Sequence, residues 1–282
     1  MRAITTPIRL HYFGHFVALA CLVAHAWTPA VAQPSIAGAR SAALTGDPAA
    51  SDGDPWAESN PAGWSRMKSH TLGIHAAQLY GLKELRAGNV QLVLRRSPSS
   101  AALGVSSFGY EDYREMAVTA GMGFGIRMQT HRPFHFGIRV RYHRISIRNY
   151  GSASTFTLSS GFIFPVLAGI ELGLSAENIS ILESPISDEL PRRIQLGLAF
   201  VGSERLRVYT DLVKDVRSPL ETRISAEARP VRVLTLRTGF SLEPPRFAGG
   251  FGISFNRLAV DVAIDRHLIL GWSPSCSLIF KW

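Results

Sequence analysis

The 282 residues carry a formal charge of +9, and 46 % of them are hydrophobic. Beyond the N-terminal stretch, no window approaches the roughly 18 consecutive apolar residues of a transmembrane helix. Of the two cysteines, Cys21 falls within a leader-like stretch and only Cys276 lies beyond it, which excludes an internal disulfide and a thiolate metal site in the processed chain.

Residues 1–32 read as a secretory signal peptide. Arg2 and Arg9 precede the apolar run Tyr12 to Trp27, and Ala30-Val31-Ala32 before Gln33 is a small-residue cleavage site. The competing reading makes Cys21, after Ala18-Leu19-Ala20, the acylated residue of a lipoprotein. Residues 33–63 form a second unit, an N-terminal arm or hatch. Its first part, 33–58, is rich in Ala, Ser, Gly, Asp and Pro without a sustained period, and reads as flexible or loosely packed. It ends on Asn60-Pro61-Ala62-Gly63, where Pro61 biases Asn60 to extended geometry and Gly63 permits a turn.

From His70 onward the period is two, and residues 64–282 read as one β-domain. The apolar alternates begin with Leu72, Ile74 and Ala76, then Val90, Leu92 and Leu94, then Leu103 and Val105. Val118 to Met128 continue on even numbers, as do Phe134 to Tyr142. There the parity slips to Ile145 and Ile147, predicting a bulge near His143-Arg144. Phe156 to Phe164, Ile170 to Leu174, Ile194 to Phe200 and Leu206 to Leu212 follow. A weaker run around Ile224 precedes Leu234 to Phe240, Phe251 to Phe255 and Leu258 to Ile264. The last run carries Cys276, Leu278, Phe280 and Trp282 on one face.

About fourteen strands result, or twelve if the first pair is a plug element or two weak strands fuse. Short connections such as Ser97–Ser100, His131–Pro133, Gly202–Arg205, Pro230-Val231 and Asn256-Arg257 alternate with longer ones such as Ser180–Arg192. Apolar-out strands, alternating loop lengths, an export leader and an aromatic final residue together predict a transmembrane antiparallel β-barrel in the bacterial outer membrane. Phe280 and Trp282 are then the expected C-terminal signal for the barrel-assembly machinery, and outer-membrane lipids are direct partners. Export argues against a nucleic-acid partner. The charge, almost all Arg, is better explained by headgroups or a polar lumen.

The faces opposite the apolar alternates carry Glu171, Glu177, Arg207, Asp211, Arg223, Glu227, Arg237, Asp261 and Asp265, a candidate lumenal ion-pair network. Gly121, Gly123 and Gly125 share that face and leave room for a plug or a ligand. His residues are scattered without metal spacing, and no nucleophile elbow is present, so neither an enzyme nor a cofactor is expected.

Asn60-Pro61-Ala62-Gly63 ahead of the first strand resembles the hatch-to-barrel junction of FadL and PorV type outer-membrane proteins. Asp261-Val262-Ala263-Ile264-Asp265-Arg266-His267-Leu268-Ile269-Leu270-Gly271-Trp272 resembles the penultimate hairpin of PorV/PorQ-like barrels. The resemblance implies transport across the outer membrane or a part in type IX protein secretion. The alternatives are a general porin, or a FadL-like channel for hydrophobic small molecules. A secretion role would use the loop bearing Glu183, Asp188 and Glu189 to bind partner proteins. A FadL-like role would take solutes past a hatch at residues 51–63.

Overall fold

The computed structural model describes residues 37–127, 133–180, 186, 190–203 and 205–282. The signal peptide with Cys21, together with Met128, His131, Glu183, Asp188 and Glu189, lies outside them.

Among the described residues, fourteen antiparallel strands close into one barrel. They are β1 (Thr71–Gln78), β2 (Arg86–Arg96), β3 (Ser99–Gly109), β4 (Tyr113–Arg127), β5 (Pro133–Ile147), β6 (Gly151–Leu167) and β7 (Ile170–Ser180). The second half is β8 (Arg193–Ser203), β9 (Leu206–Asp215), β10 (Leu220–Val231), β11 (Leu234–Ser241), β12 (Arg246–Phe255), β13 (Leu258–His267) and β14 (Gly271–Lys281). Each pairs with its sequence neighbours, and β1 closes on β14 from Thr71↔Lys281 to Ala77↔Ser275. Closure leaves no open edge, which a lipid-embedded sheet requires.

Alternation fixes the two faces. The even residues of β4, β8 and β10 point outward, so Val118, Met122, Leu196, Leu198 and Ile224 are exposed, while odd neighbours such as Thr119, Gln195 and Ser225 are buried inside. The exposed apolar side chains form a belt around the wall, the arrangement that places hydrocarbon rather than water outside. Cys276 belongs to this outer face. At one end of the barrel the connections between β2 and β3, β8 and β9, β10 and β11, and β12 and β13 are tight. The opposite end carries the longer ones. At the tight-turn end Trp282 donates its backbone N–H to the His70 carbonyl (3.1 Å) and stacks on His70 and Phe280.

Two sequence expectations about register change. The β4–β5 and β5–β6 ladders run without interruption through His143 and Arg144, so no bulge occurs there. Ile145 and Ile147 therefore keep the lumenal parity of Arg139 and Arg141. They lie at the long-loop rim, where an inward apolar side chain lines a cavity rather than meeting lipid. The bulge is in β7 instead: Glu177 and Asn178 together oppose Ser159, with Asn178 at φ 55°. Asn tolerates this left-handed conformation, and its side chain donates to the Pro191 carbonyl at 3.0 Å. A second shift falls at Pro230, which cannot donate to the ladder; the turn expected at Pro230-Val231 moves on to residues 232–233.

Candidate functional site

The largest departure from the sequence reading lies inside the barrel. Residues 37–58, expected to be loose, are almost entirely buried in the lumen, together with 59–64. The short helix α1 (Gly38–Ala43) rests against β12–β14, and the Ala39 N–H donates to Ser277 Oγ at 2.8 Å. A 3-10 helix, Pro61–Arg66, crosses the opposite wall at β4–β6. Asn60 is its N-cap, at φ −136° and ψ 103°, the extended geometry that Pro61 favours. Its Oδ1 accepts from the Ala62 N–H (3.0 Å), while Nδ2 donates to the carbonyls of Ala49 (2.6 Å) and Phe162 (3.0 Å). One side chain thus caps a helix, ties two parts of the plug and fastens both to β6. The barrel strands themselves begin only at Thr71, so Trp64 to Met67 belong to the plug rather than to the wall.

Close packing explains the arm's composition. Trp64 lies over Gly121 and Gly123, while Gly125 faces Pro98, and the Pro61–Ala62 backbone rests directly on Gly137. Any Cβ at Gly137 would overlap that backbone, which has no flexible end to move aside. Gly63 is different: a Cβ there would meet Ala57 Cβ and the Ser51 carbonyl at 3.5 Å, an ordinary contact, and its φ is not left-handed. The turn freedom expected of Gly63 is therefore not used. We predict that Gly137→Val unseats the plug while Gly63→Ala does not. Plug amide exchange should accelerate on the order of 30-fold in the first variant, an overpacking cost of about 2 kcal/mol. Equal protection in both would refute the seat.

Trp56 and Trp64 are the largest fully buried side chains of the plug. Trp64 packs with Met67, Val93 and Ala102, and its indole N–H donates to the Pro55 carbonyl at 2.9 Å. Burying roughly 150–250 Å² for each contributes about 4–6 kcal/mol as an upper estimate.

Polar ties complete the seat. Glu227 accepts from Arg237 Nε (2.8 Å), Tyr209 OH (2.9 Å) and Arg40 Nε (3.0 Å) of the plug, and Arg40 Nη2 also pairs with it. Arg237 continues to Asp261 at 2.6 Å. Plug Asp52 pairs with Arg207, and Arg66 with Glu171 at 2.7 Å. Glu58 holds Arg141 through two bonds of 2.7 Å and lies 3.6 Å from Arg139. The Ala49 N–H donates to Asp211 Oδ1 (2.8 Å), which also accepts from Gln195 (2.9 Å).

The anticipated lumenal residues are buried or half-buried polar groups, and several of them pair with another strand while others hold the plug. Among the described residues, Glu227 with Arg237, Arg237 with Asp261, Asp265 with Arg246 and Asp211 with Gln195 join strand to strand. Glu171, Arg207 and Asp211 bind the plug, and Glu177 lies 4.0 Å from Arg139. Arg223 pairs with Glu221 and Asp265 with Arg246 near the long-loop mouth. Asp265 and His267, which share a face, do not pair; His267 Nδ1 accepts from the Ile269 and Leu270 N–H groups at 3.2 Å. Sequence reasoning missed Arg40, Asp52 and Glu58, hidden in an aperiodic segment, and Arg139, Arg141 and Tyr209. The last three stand at lumenal parity in their strands, and that was their available signal.

Charges within the plug are tuned by these partners. Burial alone would raise Glu58, but the Arg141 and Arg139 guanidiniums outweigh it and hold the carboxyl at about 2. Burial pushes Asp47 and Asp54 above the ordinary carboxylate range, with Arg40 only partly opposing it.

Two cavities open on the long-loop side of the plug. One, of about 80 Å³ above α1, is mixed, with Arg223, Arg246 and Asp265 beside Leu79, Tyr80 and Val213. The other, of about 110 Å³, has Glu58, Arg141 and His143 at its base and Phe108, Ile145 and Leu190 higher up. It combines an apolar patch, set among polar side chains such as Asn89, Ser106 and Asn178, with a charged floor made jointly by plug and barrel.

No protein-family model matches the chain, and no curated protein does. Solved structures do match in fold. A TodX variant, a monoaromatic hydrocarbon channel, aligns with TM-score 0.63 and 14 % identity over 87 % of this chain and 99 % of its own. The CymD monoaromatic hydrocarbon channel gives 0.64 and 13 % over 87 % and 97 %. A FadL homologue of Pseudomonas aeruginosa gives 0.57 and 12 % over 86 % and 96 %. The chain thus has the fold of FadL-like outer-membrane channels. The resemblance to PorV and PorQ has no counterpart among these three.

Proposed function

We propose that the protein is an outer-membrane channel of FadL type that takes up small hydrophobic molecules and is closed at rest by its N-terminal plug. The observation that carries this is the 110 Å³ cavity, whose apolar patch of Phe108, Ile145 and Leu190 faces the long-loop end. Tight turns face the periplasm and longer loops the exterior, so the cavity stands where an incoming solute meets the plug. Benzene occupies an apolar cavity of roughly 150 Å³, so this smaller space of about 110 Å³ admits no more than one ring, and its open mouth must supply the remaining room. Its apolar part would rest on Phe108 and Ile145, while Glu58 and Arg141 below hold the plug across its path. The matched channels whose names specify monoaromatic hydrocarbons support the same solute class. The secretion reading rests on Glu183, Asp188 and Glu189, outside the described residues, and no structural observation favours it.

The test is uptake of toluene by cells or vesicles carrying the folded protein. Phe108→Asp replaces an apolar contact worth about 1.5 kcal/mol or more, so uptake should fall roughly tenfold with the barrel intact. Unchanged uptake in that variant, or equal passage of a small sugar by the parent protein, would overturn the proposal.

A further inference from the structure

The two ends of the barrel differ in charge. At the tight-turn end, Arg96, Arg205, Arg232 and Arg257 stand at four separate turns, all exposed. None forms an ion pair among the described residues, and no described acid lies in these turns; Glu204 is outside the description. Glu171, the nearest described wall acid at this end, is held by Arg66. The opposite end mixes signs, with Glu84, Glu111, Asp112 and Glu243 among its loops.

Each of three arginines also sits beside exposed apolar residues. Val231 and Val233 flank Arg232, Leu206 follows Arg205, and Phe255 lies two residues before Arg257, 77 % exposed. A cation immediately beyond an apolar, outward-facing side chain is how a wall crosses from hydrocarbon to headgroup. Arg205, Arg232 and Arg257 stand at consecutive tight turns from β8–β9 to β12–β13, and Arg96 stands beyond the β14–β1 closure at β2–β3, so the four span just over half of the ring. The outward apolar neighbours of three of them favour lipid, since a soluble acidic partner has no use for hydrocarbon contact beside each cation.

We propose that these four arginines bind the phosphate headgroups of anionic phospholipids in the leaflet at the tight-turn end. The contacts are charge-assisted hydrogen bonds from guanidinium to phosphate oxygen, with acyl chains against the adjoining apolar residues. The inference concerns the outer rim of the barrel and holds whichever solute the lumen accepts.

The experiment is native mass spectrometry of the full folded chain released from nanodiscs of equal phosphatidylglycerol and phosphatidylethanolamine. Preferential retention of phosphatidylglycerol is expected, weakening roughly fivefold for each arginine removed in the series Arg96→Gln, Arg205→Gln, Arg232→Gln, Arg257→Gln. These turn residues are exposed and carry no plug contact, and heat-modifiable gel migration checks folding of each variant. A control with Arg86→Gln, Arg114→Gln and Arg144→Gln, at the other end, should keep the preference. Equal retention of both lipids, or a preference that survives the fourfold change, overturns the proposal. Binding of soluble polyglutamate without lipid preference would overturn it in favour of an acidic protein partner.

Discussion

Deleting residues 37–66 should turn a silent barrel into a conducting one. In the intact protein the segment from Gly38 to Trp64 is packed against the lumenal wall, from α1 on β12–β14 to the 3-10 helix on β4–β6. Its removal hydrates a ring of carboxylates and guanidiniums that now face plug atoms: Glu171, Arg207, Asp211 and Glu227. Water and counterions satisfy such groups at little cost, so the fourteen-strand ladder should survive. In planar bilayers, single-channel conductance should rise about tenfold or more, as a side-chain-filled lumen becomes an aqueous one. Steady conductance of the intact chain would instead mark a porin. Silence after deletion, from protein that remains heat-modifiable, would mean that the wall side chains alone close the lumen.

The second large effect is expected at Glu227. Its two oxygens accept from Arg40, Arg237 and Tyr209, so Glu227→Ala strands one plug cation and weakens one wall cation at once. Asp54, 3.5 Å from Arg40, and Asp261, 2.6 Å from Arg237, compensate only in part. Breaking a buried pair by removing one partner typically costs about 3–5 kcal/mol. Plug protection against hydrogen exchange should therefore drop on the order of a hundredfold or more. Arg40→Met combined with Glu227→Ala should recover part of that loss, because the guanidinium stranded by Glu227→Ala is gone; the recovery is incomplete because Asp54 loses Arg40 in turn. If the double variant is as unprotected as the single one, the pair is not what anchors the plug.

The strands were legible because their outward side chains must be apolar for the whole width of the bilayer. Leu196, Leu198 and Phe200, or Val118 and Met122, announce period two without help from tertiary context. The same rule misled at Ile145 and Ile147: it assumes that apolar means outward, and at the long-loop rim an apolar residue can face the lumen instead. The plug was illegible for a deeper reason. Its Ala, Ser and Gly residues look like those of a flexible linker, yet they are small because backbone lies against wall backbone at Gly137 and Gly173. A composition that lacks periodicity can be that of a packed segment when its partner is a curved wall rather than a regular element. Gly121 and Gly123 did signal space for a bulky group, and Trp64 fills it.

The plug's fastenings are unevenly distributed around the ring. Hydrogen bonds and ion pairs reach it from β5–β10 and β14. Towards β2 and β3, Trp64 and Met67 meet Val93 and Ala102 through apolar contact. Directional bonds fail when their atoms part by a fraction of an ångström, whereas greasy surfaces slide over one another before they separate. The plug is thus hung like a door, latched by polar groups along β5–β10 and at β14 and bearing on a smooth jamb along the arc of β2 and β3. A pull on the chain at Met67 is transmitted first to that arc, so the earliest gap beside a moving plug opens along β2 and β3.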